Sequence, residues 1–205
     1  MSYAVKEIFY TLQGEGANMG RAAVFMRFAG CNLWSGREQD RATATCRFCD
    51  TDFLGGRRYE LDALADAAAA LWPCGVNRPF IVLTGGEPAL QVDAALVHAL
   101  KRRNFKIAIE TNGTIEIAGL GLDWACVSPK AGTELRVRTA DEIKLVFPQP
   151  DLMPGDLPPT QALHHWLSPM DGPALRENTQ AAIEYCMAHP EWRLAIQAHK
   201  SWMIR

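Results

Sequence analysis

The sequence predicts an α/β fold with a mostly parallel sheet, in the form of an incomplete barrel of the TIM type. Short apolar runs, typical of buried strands, alternate with stretches of helical periodicity. That alternation is typical of parallel strands joined by helical crossovers. A complete eight-unit barrel usually needs about 250 residues, and the chain has 205. An open, doubly wound sheet is the alternative.

The predicted elements follow in order along the chain. Apolar, β-branched and aromatic runs predict a first strand at 6–12 and further strands at Ala22–Phe28, 80–84, 106–110, Trp124–Val127, 143–147 and 193–197. Apolar residues at helical spacing predict helices at 60–72, 88–103 and 174–189. The segment 148–159 holds five prolines and is predicted to be a loop. We expect one domain over residues 1–205.

Composition argues against several classes of function. The chain is 48% hydrophobic and 21% charged, enough apolar residues for one sizeable core. Its net charge of -2 provides no basic field for nucleic acid. No apolar run is long enough to predict a membrane span, and the first residues show no secretory signal. We therefore expect a cytoplasmic protein without nucleic-acid or membrane partners.

Three of the six cysteines lie in one loop, at 30–56, with the spacing Cys31-x14-Cys46-x2-Cys49. Clustered cysteines in a reducing compartment favour metal or cluster binding over disulfides. Three thiolates can hold three irons of a 4Fe-4S cluster and leave the fourth iron open. A zinc site, which would need a fourth ligand, and a closed electron-transfer cluster are the alternatives. The remaining cysteines are predicted to be buried small hydrophobes: Cys74, Cys126 and Cys186.

Further polar motifs follow the ends of predicted strands. The cysteine loop follows the strand at Ala22–Phe28, and Thr84-Gly85-Gly86-Glu87-Pro88 follows the next strand. Thr111-Asn112-Gly113 and Ser128-Pro129-Lys130 follow two more. Ligands gather at the carboxyl ends of parallel strands. We therefore expect these four segments to lie on one rim of the sheet.

In this order, the motifs resemble those of the radical S-adenosylmethionine (SAM) enzymes, and among them the 7-carboxy-7-deazaguanine synthase family. The usual superfamily signature is Cys-x3-Cys-x2-Cys with a downstream Gly-Gly-Glu-Pro. Here 14 residues replace three in the first gap, and that loop varies in length within the family. The motifs that carry the resemblance span nearly the whole chain: 9–16, 28–33, 49–52, 83–88, 110–114, 128–130 and 197–200.

The resemblance implies a carbon–nitrogen lyase that converts 6-carboxy-5,6,7,8-tetrahydropterin to 7-carboxy-7-deazaguanine, with loss of ammonia, in 7-deazapurine (queuosine) biosynthesis. It implies a 4Fe-4S cluster on Cys31, Cys46 and Cys49, SAM as a regenerated cofactor, and Mg2+ at Thr51. In the family, a 5′-deoxyadenosyl radical abstracts hydrogen from C6 of the pterin before the ring contracts. A flavodoxin-like or ferredoxin-like electron donor and a homodimer are also expected.

The resemblance further implies two sets of binding residues. Those expected near SAM are Phe48, Asp50, Gly86, Glu87, Glu110, Ser128, Pro129, Lys130, Ser168, Pro169, Met170 and Asp171. Those expected near the pterin are Leu12, Gln13, Gly14, Glu15, Arg27, Thr84 and His199.

The chemistry of several of these side chains leaves alternatives open. Arg27 can grip a carboxylate with two parallel bonds, or form a structural ion pair. Glu15 can accept hydrogen bonds from a guanidine-like ring edge. Glu87 can hold its own turn or the SAM ammonium, and Glu110 can bond ribose hydroxyls or simply be solvated. His199, at the end of the predicted strand 193–197, has a surface role as its alternative.

Two other functions remain open at this point. A glycyl-radical-enzyme activating enzyme shares the Gly-Gly-Glu-Pro motif and the small size. A zinc- or cluster-stabilised binding module is the non-enzyme alternative. Within the cysteine loop, Trp34 and the charged segment 37–41 are expected to form a solvated flap, or else a docking surface for the electron donor.

Overall fold

The computed structural model describes residues 2–205, so only Met1 of the expected domain lies outside it. Its strands are β1 (Ser2–Leu12), β2 (Ala22–Phe28), β3 (Arg57–Glu60), β4 (Phe80–Gly85), β5 (Lys106–Thr111), β6 (Trp124–Val127), β7 (Thr139–Phe147), β8 (Gln161–Pro169) and β9 (Trp192–Leu194). Its α-helices are α1 (Leu61–Ala69), α2 (Ala94–Lys101), α3 (Leu175–Ala188) and α4 (Ala198–Trp202).

The strands form one sheet in the order β3-β1-β2-β4-β5-β6-β7-β8-β9. From β2 onward each strand is parallel to its neighbour, whereas β1 is antiparallel to both β2 and β3. Within the described residues the sheet does not close, because β3 and β9 each have one neighbour. The prediction of an incomplete barrel is therefore confirmed.

Hydrogen bonds of the C-terminal segment, after β9, join that end of the sheet to the region of β1. The amide of Ala198, just after β9, donates to the carbonyl of Gly14, just after β1, at 3.0 Å. The hydroxyl of Thr11 donates to the carbonyl of Arg205 at 2.9 Å. The sheet therefore curls around an interior, and the C-terminal segment covers the gap that the strands leave.

Side-chain alternation separates the outer core from the interior. On the outer face, Leu83 and Ile109 are fully buried together with Leu64 of α1 and Leu96 of α2. Burial of such a side chain stabilises the fold by about 1.5–3 kcal/mol. On the inner face, a small apolar cluster of Ala23, Phe80, Val82 and Ala108 lies towards the amino ends of the parallel strands. Polar side chains lie at the carboxyl ends of these strands.

Most predicted elements are present, with different boundaries. The strands β3 and β8 were not predicted, because β3 is short and mostly charged and two adjacent histidines interrupt the apolar run of β8. The predicted helix 88–103 is divided into a 3-10 turn at Pro88–Leu90 and α2. The division has a local cause: the Asp93 side chain accepts from the Leu96 amide at 2.8 Å and begins α2 at Ala94.

Other predictions were wrong. The strand predicted at 193–197 ends at Leu194, and the chain turns into α4, so His199 lies in a helix instead of at a strand end. Cys74 is exposed and Cys186 only half-buried, whereas Cys126 is buried as expected. Trp34 is buried against Phe53 and is not part of a solvated flap.

No helix in residues 2–205 is both long and apolar enough to cross a bilayer.

Candidate active site

A cavity of about 470 Å³ opens at the carboxyl ends of the parallel strands. Its wall takes side chains from β1, β2 and β4–β8, and from the cysteine loop and α4. All four segments that the sequence predicts to share a rim contribute to it: the cysteine loop, the Gly85-Gly86 turn, 111–112 and 128–130. That expectation is confirmed, and the volume is typical of a small-molecule site.

The Gly85-Gly86 turn is packed directly against the start of the cysteine loop. The amide of Gly86 donates to the Phe28 carbonyl at 3.2 Å, and that of Glu87 to the Gly30 carbonyl at 2.9 Å. A Cβ on Gly86 would collide with the Gly30 carbonyl and approach the Cβ of Cys31. Backbone contact thus accounts for glycine here, and it places Cys31 beside the turn.

The 14 residues between Cys31 and Cys46 fold into a compact structure with a 3-10 helix at Glu38–Thr43. Arg41 organises it: its Nη1 donates to the carbonyls of Arg47 and Cys49, at 2.9 and 3.1 Å. The same guanidinium lies 4.1 Å from the ring centroid of Trp34 and bonds both carboxylate oxygens of Glu38. The long loop therefore brings the close cysteine pair back to the cavity.

The three cysteines all line the cavity. The Cys46 thiol donates a hydrogen bond to the Cys49 sulfur, which raises the pKa of Cys46 and lowers that of Cys49 to about 6. Burial raises the pKa of Cys31, although its sulfur accepts from the Leu33 amide at 3.4 Å. The pKa of Cys49 is thus the lower of the two, which favours the thiolate form that binds metal.

The thiols are not arranged for a single metal ion. Among residues 2–205, no three Cys, His, Asp or Glu side chains come close enough to hold one ion. A cubane cluster does not require this, since each thiolate binds a different iron atom. The donor set therefore fits an iron–sulfur cluster better than the zinc site left open by the sequence.

Two of the residues expected near SAM have their polar atoms engaged within the protein. Glu87 is fully buried and accepts from the Ala89 amide, the Thr111 hydroxyl and the Asn112 amide at 2.7–2.9 Å. Desolvation raises its pKa. Lys130 donates to the carbonyl and hydroxyl of Ser128 at 2.6 and 2.7 Å, and burial lowers its pKa. The geometry favours a structural role for Glu87 in its turn.

A polar group joins α4 to the end of the cysteine loop. Lys200 donates to Asp50 at 2.9 Å and to Asp171 at 2.5 Å, and Gln197 donates to Asp50 at 3.2 Å. Burial would raise the pKa of Asp50, but the hydrogen bonds from Lys200 and Gln197 outweigh it and the pKa is lowered. This group of side chains links Asp50 and Asp171, which are both expected near SAM.

The side of the cavity near β1 carries a buried group of charged side chains. Lys144 of β7 bonds Glu15 at 2.5 Å and Glu110 at 3.3 Å, while Gln13 donates to Glu110 at 2.8 Å. Glu110 therefore lies with the residues expected near the pterin, and it is not merely solvated. Burial opposes ionisation of Glu110, but the charge of Lys144 and the hydrogen bond from Gln13 lower its pKa.

Arg27 and His199 complete this side. The Nε of Arg27 pairs with Glu7 at 2.8 Å, so the structural ion pair exists. The Nη groups of Arg27 have no hydrogen-bond partner within residues 2–205, and Arg27 lines the cavity. The ring of His199 lies against Gly14, where a Cβ would collide with it.

Not every predicted residue reaches the cavity. Glu87, Pro129 and Met170 do not line it, whereas the other predicted site residues do. Lys144, Arg41 and Lys200 were missed by sequence reasoning. Lys144 had a signal: Glu142 and Lys144 alternate with Ile143 and Leu145, which places two charges on the inner face of a buried strand.

Comparison with known proteins agrees with this geometry. Residues 39–145 match the Radical SAM superfamily. The chain is 58% identical to a 7-carboxy-7-deazaguanine synthase of Bradyrhizobium diazoefficiens, over all of both chains. It is 54% identical to that of Burkholderia multivorans, over 98% of each chain. The crystal structure of QueE from Escherichia coli superimposes with a TM-score of 0.69 at 27% identity, covering 97% of this chain and 95% of that one.

The fold and the three-cysteine site therefore define a radical SAM enzyme. Radical SAM enzymes carry a 4Fe-4S cluster and use SAM, and the thiols lining the cavity are chemically suited to the cluster. Within the superfamily, the chain belongs to the 7-carboxy-7-deazaguanine synthase family.

Proposed function

We propose that the protein converts 6-carboxy-5,6,7,8-tetrahydropterin to 7-carboxy-7-deazaguanine and ammonia, as a lyase of 7-deazapurine (queuosine) biosynthesis. One observation carries this proposal: the cysteine thiols and a charged set able to bind a polar heterocycle line the same cavity, in a chain 58% identical to a synthase of that name. The reaction is redox-neutral, since the nitrogen leaves as ammonia and the hydrogen taken from the substrate is returned.

The thiolates of Cys31, Cys46 and Cys49, which line the cavity, would hold the cluster. When bound, the cluster supplies the electron that cleaves SAM and so starts radical chemistry. Around it, Lys130 provides a cation near the cysteines and Glu87, suited to the carboxylate of SAM. Phe48, Asp50, Ser128, Ser168 and Asp171 provide the surrounding wall.

The pterin would occupy the side near β1. The free Nη groups of Arg27 suit its carboxylate. Gln13, Glu15 and Glu110 provide acceptors for the N–H groups of its ring, and Thr84 and His199 close the cavity from two sides. Enclosure here excludes water from a substrate radical, which protects it from side reactions.

Mg2+ would bind at Thr51, whose side chain lines the cavity. One hydroxyl is a poor magnesium site, because Mg2+ requires six oxygen ligands in near-octahedral geometry. Water and the pterin carboxylate would supply the others. We therefore expect weak Mg2+ binding by calorimetry without substrate, and tight substrate-free binding would contradict this assignment.

A radical SAM enzyme needs a one-electron reductant, and a flavodoxin-like or ferredoxin-like protein is the donor proposed. We also propose a homodimer, a cytoplasmic location and a single domain spanning residues 1–205 with the cluster loop at 30–56. The need for reduced thiols before cluster assembly supports the cytoplasm.

The test is anaerobic reconstitution with iron and sulfide, followed by dithionite, SAM, Mg2+ and the pterin. We expect 7-carboxy-7-deazaguanine by mass spectrometry, without stoichiometric 5′-deoxyadenosine, because SAM is regenerated. Deoxyadenosine formed only with a partner protein would instead indicate an activating enzyme. Purified protein with bound zinc and no acid-labile sulfide would indicate the binding module.

A further inference from the structure

Lys144 occupies an unusual position for a lysine. It lies on β7, a strand paired on both sides, is 7% exposed, and lines the cavity with its inner-face neighbour Val146. A buried ammonium is costly unless it is paired. Its role therefore depends on the groups with which it pairs.

Lys144 belongs to a closed ring of hydrogen bonds between four residues. It donates to Oε2 of Glu15 and to Oε2 of Glu110, at 2.5 and 3.3 Å. Oε1 of Glu110 accepts from Nε2 of Gln13 at 2.8 Å, and Oε1 of Gln13 accepts from the Glu15 amide at 3.1 Å. Within residues 2–205, Oε1 of Glu15 is the one carboxylate oxygen of the ring without a hydrogen-bond donor.

The charge balance of the ring depends on this single ammonium. Two carboxylates face the ammonium, Glu110 from β5 and Glu15 from the segment after β1. Cys126 and Glu142 adjoin the ring. Two other cations, Arg27 and Lys130, lie further off. Glu142 is already engaged, because it accepts from Nε1 of Trp124 and the amide of Ala17. Burial would lower the pKa of Lys144, but the charges of Glu110 and Glu15 raise it.

The three charged members come from segments far apart in sequence. Only the register of the sheet, which sets Glu110 opposite Cys126 and Cys126 opposite Glu142, places Lys144 within reach of Glu110. Glu110 is thus held by a strand, whereas Glu15, in the segment after β1, is held by Lys144 and by the bond from its own amide to Gln13. Such preorganised acceptors suit a rigid, planar ligand edge rich in N–H groups.

We propose that Lys144 is a positioning residue, which holds Glu15 and Glu110 side by side and ionised so that they accept hydrogen bonds from the N–H groups of the aminopyrimidinone ring. This inference rests on the proposed function, since the pterin is the ligand that carries such a ring. Lys144 itself acts through the two carboxylates. Its loss should therefore affect ring binding before it affects cluster chemistry.

The test compares Lys144→Met with Lys106→Met, which removes another strand lysine paired with a carboxylate, Asp123, outside the cavity. In Lys144→Met we expect kcat/KM for the pterin to fall about 100-fold at pH 7, mainly through KM. Calorimetry with the pterin, in the absence of SAM, should show the same weakening. Lys106→Met should leave both quantities unchanged.

The pH profile separates positioning from mere stability. Without the ammonium, two adjacent buried carboxylates no longer ionise together, so the acid limb of kcat/KM should move up by about one pH unit or more. Lys144→Arg keeps the charge and should keep the limb near its wild-type position, even if misfit lowers the rate. In the double variant Glu110→Gln with Lys144→Met, the loss of kcat/KM, expressed as a free energy, should be smaller than the sum of the two single losses.

The outcomes are distinguishable from failure of the proposed function. If wild-type protein does not convert the pterin, the function is wrong. If wild-type protein converts it but Lys144→Met keeps its KM and its acid limb, the inference is overturned. If Lys144→Met fails to fold, Lys144→Arg decides: a shifted limb despite a retained charge would contradict ionic positioning, and an unshifted limb would support it. Uncoupled deoxyadenosine formation without pterin should be unaffected by the arginine variant.

Discussion

The cysteine loop and the inner face of the sheet supply groups to the same cavity but hold them in different ways. The loop depends on a few specific contacts around Arg41, Trp34 and Phe53, and much of its 3-10 helix is exposed to solvent. The inner face carries Glu110 and Lys144 on strands that pair on both sides. One region is stabilised locally, and the other by the whole sheet.

The difference explains which spacings can vary. A loop can gain residues if they fold away from the site, and here the residues between Cys31 and Cys46 form a 3-10 helix. A strand cannot slip by one residue without turning every side chain to the opposite face. Lys144 would then leave the cavity and Ile143 or Leu145 would enter it. Four substitutions test this contrast, from the largest expected effect to the smallest.

Removal of a cluster ligand should have the largest effect. Cys46→Ala leaves two thiolates in the cavity, too few to retain a cubane, so iron content and product formation should both be lost. The matched control is Cys74→Ala, because Cys74 is exposed and does not line the cavity. Iron and sulfide assays with product analysis provide the measurement. Full activity of Cys46→Ala would rule out this ligand set.

The next effect concerns the point where the two regions meet. Gly86→Ala should displace the start of the cysteine loop, because the new Cβ would collide with the Gly30 carbonyl. Overpacking of this kind costs about 1–3 kcal/mol, and we expect about a 10-fold or greater loss of kcat/KM. Gly155→Ala is the control, since a Cβ there meets nothing within 4 Å and φ is not positive. Equal behaviour of the two variants would refute close packing at Gly86.

Within the loop, Arg41→Met should loosen the ligand pair without removing a ligand. It deletes two hydrogen bonds to carbonyls, one of them that of Cys49, and hydrogen bonds from a charged donor are worth about 1.5–3 kcal/mol. Iron release to a chelator, followed by absorbance, should become about 10-fold faster. Arg37→Met changes an exposed arginine of the same loop and should release iron at the wild-type rate.

The smallest effect is expected at Lys200. Its pairs with Asp50 and Asp171 are about 40% exposed, so Lys200→Met should lower the free energy of unfolding by only about 0.5 kcal/mol. In the folded state, the hydrogen bonds from Lys200 hold the pKa values of both carboxyl groups below the ordinary value for aspartate. The stabilisation should therefore be present at pH 7 and pH 5 and disappear as the pH falls below about 3.8. Urea unfolding at these pH values measures it, and a difference that grows on acidification would contradict the assignment.

Much of the molecule could be predicted from local sequence patterns. Apolar runs identified the central strands, and residue types and spacing singled out Cys31, Cys46 and Cys49, which the structure places in one cavity. The errors lie where local patterns are weak. The segment after Leu194 reads as a strand because Ala195 and Ile196 are apolar, yet beyond β9 the chain turns back to bond Gly14. Trp34 reads as a loop residue, yet Phe53 buries it.

The sequence by itself determined the class of fold and the rim on which the motifs and the three clustered cysteines meet, because these follow from short-range periodicity and from the chemistry of single residue types. Only the tertiary structure decided that Glu87 holds its turn, that Arg41 folds the long loop, and that Lys144 joins Glu15 and Glu110. Those pairings depend on strand register and on close backbone packing between distant segments. No local pattern encodes such distances, because they are properties of the assembled sheet.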